Sequence, residues 1–373
     1  MVYLRAFSLA CLLTVCYCKK KKSDSNKWPG SENIDIVDEF NEFGENISGL
    51  DYVSNVDGDM YMYAIKNNPS TIYKLYNNSN IWSKVDTKNW EDGMTLYYPD
   101  GDGNPDTEDL TFTDNPNEFY ACVERNGNGE SNLSILRYDL TETETETINM
   151  NQNLNQSIPA MIATHEWDVN EVFPSVGANL GFEGTTYVPD SYLTKYGLVD
   201  INTNTTYNPT KYSNHGYGLF FVGLEENGVI YGLALNHEDT SEYHIITSFA
   251  SGEESVMAVY FDIDVGYLWT ICDDSCDGKH HVFTLNSNSK SKSNAEGGSS
   301  SSGTFEKIAS YDRPTGMKNY NNEGYMVSPE ASCCDDGQND GNSYKVVYWA
   351  DDGDDKGHVI RSGTVPCGDY ISL

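Results

Sequence analysis

The sequence predicts an all-β chain folded as a β-propeller, and three observations lead to that class. A short phrase recurs: Gly181-Phe-Glu-Gly runs into Thr-Thr-Tyr-Val-Pro, with a close echo at Asn322 to Pro329 and a looser one at Gly49 to Val53. Each copy opens a module of short apolar strands, among them Gly218-Leu-Phe-Phe-Val-Gly-Leu and Gly266-Tyr-Leu-Trp-Thr-Ile-Cys. Almost no segment keeps a helical period over three turns. Repeated four-stranded antiparallel units around an axis satisfy all three, because radial repetition leaves only short, protected strand edges. Five blades are recognisable, and six fit if residues 80–100 or 148–178 hide another. A β-sandwich is the rival architecture, but it gives no reason for the phrase to recur.

Taken in order, Ile34 to Phe40 alternates like a half-buried strand and has no opening phrase before it. It is therefore expected to complete the last blade and close the ring. Strands follow at Leu50–Val53, Met60–Ile65 and Thr71–Tyr76, with Asp57-Gly58 as a tight-turn pair and Ile81–Val85 as the outer strand. The second module holds Asp109–Thr113, Glu118–Glu124 and Ser134–Leu140, then a polar Glu-Thr repeat at 142–147 suited to an exposed edge. The third starts at Gly181 and carries an Asn/Thr/Tyr-rich insertion at 190–214. The fourth spans Ser255 to Ala309 around a Ser/Asn/Gly loop at 286–303, expected to be disordered. The fifth runs from Asn322 to Cys367.

Residues 1–18 read as a secretory signal, with Arg5 ahead of an apolar stretch at Ala6 to Val15 that is too short to span a bilayer. Cleavage after Cys18 is expected, with residues 19–33 as a loose polar leader and 34–373 as one propeller domain. Acylation of Cys16 or Cys18, as in a bacterial lipoprotein, is the alternative, although Val15 and Tyr17 are not the usual small residues before such a cysteine. No later stretch resembles a membrane helix. The chain is thus expected to be secreted or displayed at the cell surface.

Losing Cys11, Cys16 and Cys18 leaves six of the nine cysteines, an even number suited to disulfides in an oxidising compartment. Cys272 and Cys276 suit a small disulfide loop. Of the adjacent Cys333 and Cys334, one is expected to pair with Cys367 and the other with Cys122. Sequons at Asn46, Asn77, Asn132, Asn155 and Asn204 would accept glycans in a eukaryotic secretory pathway. The net charge of −34 provides no basic stripe for nucleic acid, and it favours divalent cations.

In a propeller the first strand of each blade lines the axis, so Glu183 and Glu323 are expected to converge, with Asp51 and Asp109 as further equivalents. Close carboxylates repel unless a proton or cation lies between them. The competing reading is that such acids accept backbone N–H groups and fasten one blade to the next. A second calcium signal is Asp100-Gly-Asp-Gly-Asn-Pro-Asp, where Asp100, Asp102, Asn104 and Asp106 can wrap one cation as in the first half of an EF-hand loop. Pro105 and Thr111 replace the Gly and Glu of that loop, and an acidic turn is the alternative. Asp351 to Asp355 is similar but less patterned. Arg313 is a candidate anion ligand and His358 a candidate partner, whereas His165 and His215 show no evident partner. No nucleophile elbow, P-loop or dinucleotide fingerprint appears.

Gly181-Phe-Glu-Gly-Thr-Thr-Tyr-Val-Pro, Leu268-Trp-Thr-Ile-Cys-Asp-Asp-Ser-Cys, Arg313-Pro-Thr-Gly-Met, Asn322-Glu-Gly-Tyr and Trp349-Ala-Asp-Asp-Gly with Gly357-His together resemble the secreted phytase-like β-propellers. The resemblance covers roughly 45–367. It implies a calcium-stabilised propeller able to act on phosphoesters, in which Glu183, Glu323 and Asp273 or Asp274 would have to converge with Arg313 or His358 close by. Only 23 Lys and Arg are present, and no cluster of them stands ready for a highly charged phytate. Two functions follow. One is a secreted or cell-surface calcium-binding propeller that binds a small anionic ligand or an extracellular protein. The other is a calcium-dependent phosphoesterase.

Overall fold

The computed structural model describes residues 25–54, 60–87, 89–141, 147–148, 158–173, 176–285, 303–329, 333–335, 343–368 and 371. The signal segment, residues 19–24 of the leader, most of the Glu-Thr repeat, Asn155 and residues 286–302 of the Ser/Asn/Gly loop lie outside them.

After β1 (Asp35–Ile36) come β2 (Ile47–Ser54), β3 (Met60–Lys66) and β4 (Thr71–Asn78), an antiparallel meander. Both β5 (Ile81–Lys84) and β6 (Met94–Tyr97) pair with β4, on its two halves. Then β7 (Asp106–Phe112), β8 (Glu118–Arg125) and β9 (Ser131–Asp139) begin the second blade. The chain returns to the first blade through β10 (Thr147–Ile148) and β11 (Ile158–Ile162), the latter parallel to β6, and completes the second with β12 (His165–Asp168). Neither 80–100 nor 148–178 is a sixth blade, because both lend their strands to the first two.

The third blade is β13 (Phe182–Pro189) followed, after a short helix α1 (Asp190–Lys195) and a hairpin of β14 (Val199–Asp200) and β15 (Thr205–Thr206), by β16 (Gly218–Leu224), β17 (Val229–Leu235) and β18 (Tyr243–Ala250). The fourth is β19 (Ala258–Asp262), β20 (Tyr267–Ile271), β21 (His280–Leu285) and β22 (Phe305–Tyr311). The fifth has β23 (Asn322–Val327), β25 (Ser343–Asp351) and β26 (Ile360–Pro366), with β24 (Cys334–Asp335) beside β25. The outer position of that blade is taken by β1, antiparallel to β26, so five blades, each built on a four-stranded meander and the first and fifth carrying extra strands, close on the N-terminal strand as expected.

The leader is not loose where it is described. Trp28 is buried, donates its indole N–H to the Thr364 carbonyl at 2.8 Å, and packs against His280, Trp349 and Trp269 with centroids 4.9, 5.3 and 5.9 Å away. An indole offers a large apolar area with one polar handle, which suits a plug between the first and last segments.

Around the axis the five inner strands approach closely at one level. A Cβ on Gly49 would lie 2.7 Å from the Asp109 Cα, one on Gly184 2.9 Å from the Ala258 Cα, and one on Gly324 3.2 Å from the Gly49 Cα. The Gly of the recurring phrase is therefore a requirement of ring size. Side chains then tie neighbouring inner strands: Asp51 accepts the Phe112 N–H at 2.8 Å, Asp109 the Thr185 N–H at 2.9 Å, Thr111 the Tyr187 N–H at 3.1 Å and Thr186 the Phe261 N–H at 3.0 Å.

Cys272 bonds Cys276, and Cys333 bonds Cys367. Cys122 departs from the expected pairing. It is an unpaired, fully buried thiol, its Sγ 3.9 Å from the Phe182 carbonyl oxygen. Packing as a small apolar group inside the second blade accounts for its position. No helix among the described residues is long and apolar enough to cross a membrane.

Candidate metal centre

The recurring Glu owes its position to a β-bulge. In β13 the ladder to β16 skips from Phe182 to Gly184, in β23 the ladder to β25 skips from Asn322 to Gly324, in β2 from Ile47 to Gly49, and in β7 from Thr107 to Asp109. The unpaired residues are Glu183, Glu323, Ser48 and Glu108. A bulge leaves one residue out of the ladder and re-aims its side chain. In these four blades the second strand adds the residue just past its register partner: Asn67, Glu124, Glu225 and Asp352 follow Lys66, Val123, Leu224 and Asp351. Acidic groups from two adjoining strands thus gather at one end of the propeller.

Two triads result. Carboxylate oxygens of Glu124, Glu183 and Glu225 lie within 4.8 Å of one another, and so do those of Asp106, Glu108 and Glu124. Glu124 belongs to both. Glu108 and Glu183 are only 2% and 5% exposed, whereas Asp106 and Glu225 stand at the rim. Asn67 donates to Glu108 at 3.1 Å, and Glu124 accepts the Gly181 N–H at 3.1 Å. Carboxylates packed this closely need a proton or a cation between their oxygens.

Burial drives the Glu183 carboxyl well above the usual range, and Glu108, Glu124, Glu323 and Glu225 drive it further by repulsion. Glu108 is raised by burial, then by Asp106 and Glu124. Burial and Asp352 raise Glu323, with Asn321 and Ser48 easing the shift. Among the described residues one guanidinium answers these charges: Arg125 pairs with Asp106, lies 3.0 Å from Glu124, and is braced by Asn179 at 2.5 Å.

The donors are carboxylates and an amide, with neither thiolate nor imidazole among them, which is the ligand chemistry of a hard cation such as calcium or magnesium. Five carboxylates supply enough oxygens for the six to eight that calcium takes. The group Cys272, Asp273 and Cys276 is also close together, but its thiols form a disulfide and it is not a metal site.

No family model matches the chain, and no curated protein matches it in sequence. Among solved structures it is similar to a protein of Bacteroides uniformis ATCC 8492 assigned as a candidate 6-phosphogluconolactonase, at 11% identity and TM-score 0.35 over 84% of this chain and 83% of the other. A chain from a structure of the mitotic checkpoint complex aligns over 99% of both chains at 9% identity and TM-score 0.33. The Saccharomyces cerevisiae protein Sqt1 aligns over 90% of this chain and 100% of its own at 12% identity and TM-score 0.36. These likenesses are too distant to bear on activity, and the propeller assignment rests on the sheet topology.

The structure puts Glu183 in the cluster, with Glu323 near enough to raise it and Asp352 in turn acting on Glu323. Asp106 joins through its pairing with Arg125. The other members of the acidic loop do not gather with it. Asn104 turns inward, accepting the Ser70 N–H at 2.9 Å and donating to the Leu96 carbonyl at 3.0 Å, while Asp100 and Asp102 each accept a nearby loop N–H. They line an open depression of ≈ 720 Å³ with Asn126 and Glu166. Asp273 accepts the Ser275 N–H, though its charge reaches Glu225.

Arg313 is held by the carbonyls of Asp277 and Met317, and His358 lies 3.3 Å from Asp38 at the ring closure. Neither stands with Glu183. Asp351 pairs with Arg361, and Asp355 with Lys318. Asp51 and Asp109 are the inter-blade ties described above. Glu108, Glu124, Arg125 and Glu225 were not expected from sequence. The available signal was an acid ending the second strand, in Cys-Val-Glu-Arg and Gly-Leu-Glu-Glu.

Proposed function

We propose that the chain is a calcium-dependent phosphoesterase acting on phosphomonoesters. The observation that carries this reading is Glu183, almost fully buried among acids whose only close guanidinium is Arg125 among the described residues. Glu108, Glu124, Glu183 and Glu225 would hold calcium, which when bound supplies Lewis acidity toward a phosphoryl oxygen. Arg125 sits at the rim, where its N–H groups can orient a second phosphoryl oxygen. Asp106, a less buried carboxyl outside that ligand set and raised by burial, suits a proton acceptor for the attacking water. Secretion through the N-terminal segment is part of this proposal.

A second reading is a calcium-held propeller that binds a small anion or an extracellular protein without turnover. It is favoured by how deep Glu108 and Glu183 lie. Calorimetric calcium titration of the mature chain, followed by p-nitrophenyl phosphate hydrolysis with and without calcium, separates the two. Calcium-dependent turnover lost in Arg125→Met and Glu183→Gln supports the enzyme. Saturable calcium binding with no turnover leaves the binding propeller, and no binding removes both.

A further inference from the structure

A second cavity, of ≈ 420 Å³, opens between the second and third blades. Glu118 begins β8 at this end, and Arg125 ends that strand beside the carboxylate cluster. At roughly 3.3 Å per residue the two ends lie about 23 Å apart, so the cavity is on the opposite face of the propeller. It is large enough for a small organic ligand.

Its walls are aromatic. Tyr120 and Tyr187 flank Phe220, with centroids 4.3 and 5.5 Å from it, and Tyr217 stands at the cavity 81% exposed. Exposing a tyrosine so fully next to a lined cavity has no packing rationale.

The positive groups nearby are already committed. Arg137 donates through Nε to Glu118 at 2.9 Å and through Nη1 to His165 Nδ1 at 3.3 Å. His165 donates from Nε2 to the His237 carbonyl at 3.1 Å. His237 donates from Nδ1 to the Asn214 carbonyl at 3.0 Å and accepts the Tyr120 hydroxyl at Nε2, 2.9 Å away. These partners assign one tautomer to each ring and leave both neutral. His215 reaches Asp190 at 3.0 Å and the Tyr212 carbonyl. Asp114, Asp190 and Glu118 all act on the Tyr187 hydroxyl. Even with His215 charged, three carboxylates face two cations, so the lining is negative.

We infer that this cavity binds a small methylated ammonium ion, its cationic head held against Tyr187, Phe220 and Tyr217 and its charge met by Asp114. Aromatic faces attract such a head electrostatically, and it needs no hydrogen-bond acceptor of its own. The overall charge of −34 concentrates cations around the chain. This site is independent of the carboxylate cluster and of its reading.

Calorimetric titration of the full chain with choline tests it, beside the neutral isostere 3,3-dimethylbutan-1-ol and glucose. Choline is expected to bind saturably, with the isostere about tenfold weaker and Tyr217→Ala about fivefold weaker. Asp114→Asn should weaken choline about threefold, and added salt should lower its affinity. Glu183→Gln, on the other face, should leave choline binding unchanged. Because Tyr217 is exposed, its variant is expected to fold, which circular dichroism checks. Equal affinity for the neutral isostere, binding of glucose in place of choline, or no saturable choline binding by the folded chain would each overturn the inference.

Discussion

Replacing Glu183 with Gln removes one charge from the centre of the carboxylate cluster, and its effect on stability should change sign with calcium. Two carboxylates within 4.8 Å of each other repel by at least about 3.5 kcal/mol at an effective dielectric of about 20. Without cation the cluster therefore holds protons that the unfolded chain, titrating near 4.5, has already released. The folded state then binds more protons than the unfolded one above that pH, so stability falls as pH rises. Glu253, which burial pushes to about 8, adds to the same trend. In chelator, the melting temperature of the parent protein should drop between pH 5 and 8. Glu183→Gln should recover roughly 2–6 °C of that loss at pH 8. In calcium the parent should regain its stability across this range, and the variant should bind calcium at least about tenfold more weakly. Differential scanning calorimetry at several pH values, with chelator and with calcium, reads all of these outcomes. A chelated parent whose melting temperature rises through the window, or a Glu183→Gln variant less stable than the parent in chelator, would refute the reasoning.

Gly184→Ala would place a methyl group 2.5 Å from the Val259 nitrogen, and the strain should cost about 1–3 kcal/mol by urea denaturation. Asp109→Ala leaves the Thr185 and Leu110 amides without their acceptor, at about 1–3 kcal/mol each in the same assay. Trp28→Ala should cost about 3–5 kcal/mol, a loss expected only if the leader is docked. Cys122 should resist thiol reagents in the folded chain and react only after unfolding, as mass spectrometry of the labelled protein would show.

Much of the ring was legible because its logic is repetitive. The Gly-Phe-Glu-Gly phrase marks a bulge and a close approach, and alternation in Ile34 to Phe40 marks the closing strand. The site was harder to read because a bulge breaks the two-residue period on which strand reasoning depends. Aligning Asp51 and Asp109 with Glu183 misses by three residues in β2 and by one in β7, where Ser48 and Glu108 hold the equivalent places. That slip assigns to the cluster two acids that tie blades together. Glu124 and Glu225 come from neighbouring strands, so local sequence carries only a weak sign of them. The Asp100 loop shows the converse. Its spacing suits a cation, but Asn104 is drawn inward by the Ser70 amide and the Leu96 carbonyl, a tertiary demand that its own sequence does not announce.

The shared blade of β1 and β26 bears on the order in which the molecule can be built. Val359 donates its N–H to Asp38, a residue 321 positions earlier in the chain. Closing so long a loop carries an entropic penalty that nearer pairings do not. On the ribosome, the segment that begins the fold is made first and then waits, with Trp28 and Val37 lacking their partners, until the last strands emerge. Synthesis of the C-terminal blade and capture of the N-terminal segment are therefore one event. A chain halted before Ile360 would carry four formed blades and an unsealed seam, making the final residues the step that protects the whole ring from aggregation through its open edges.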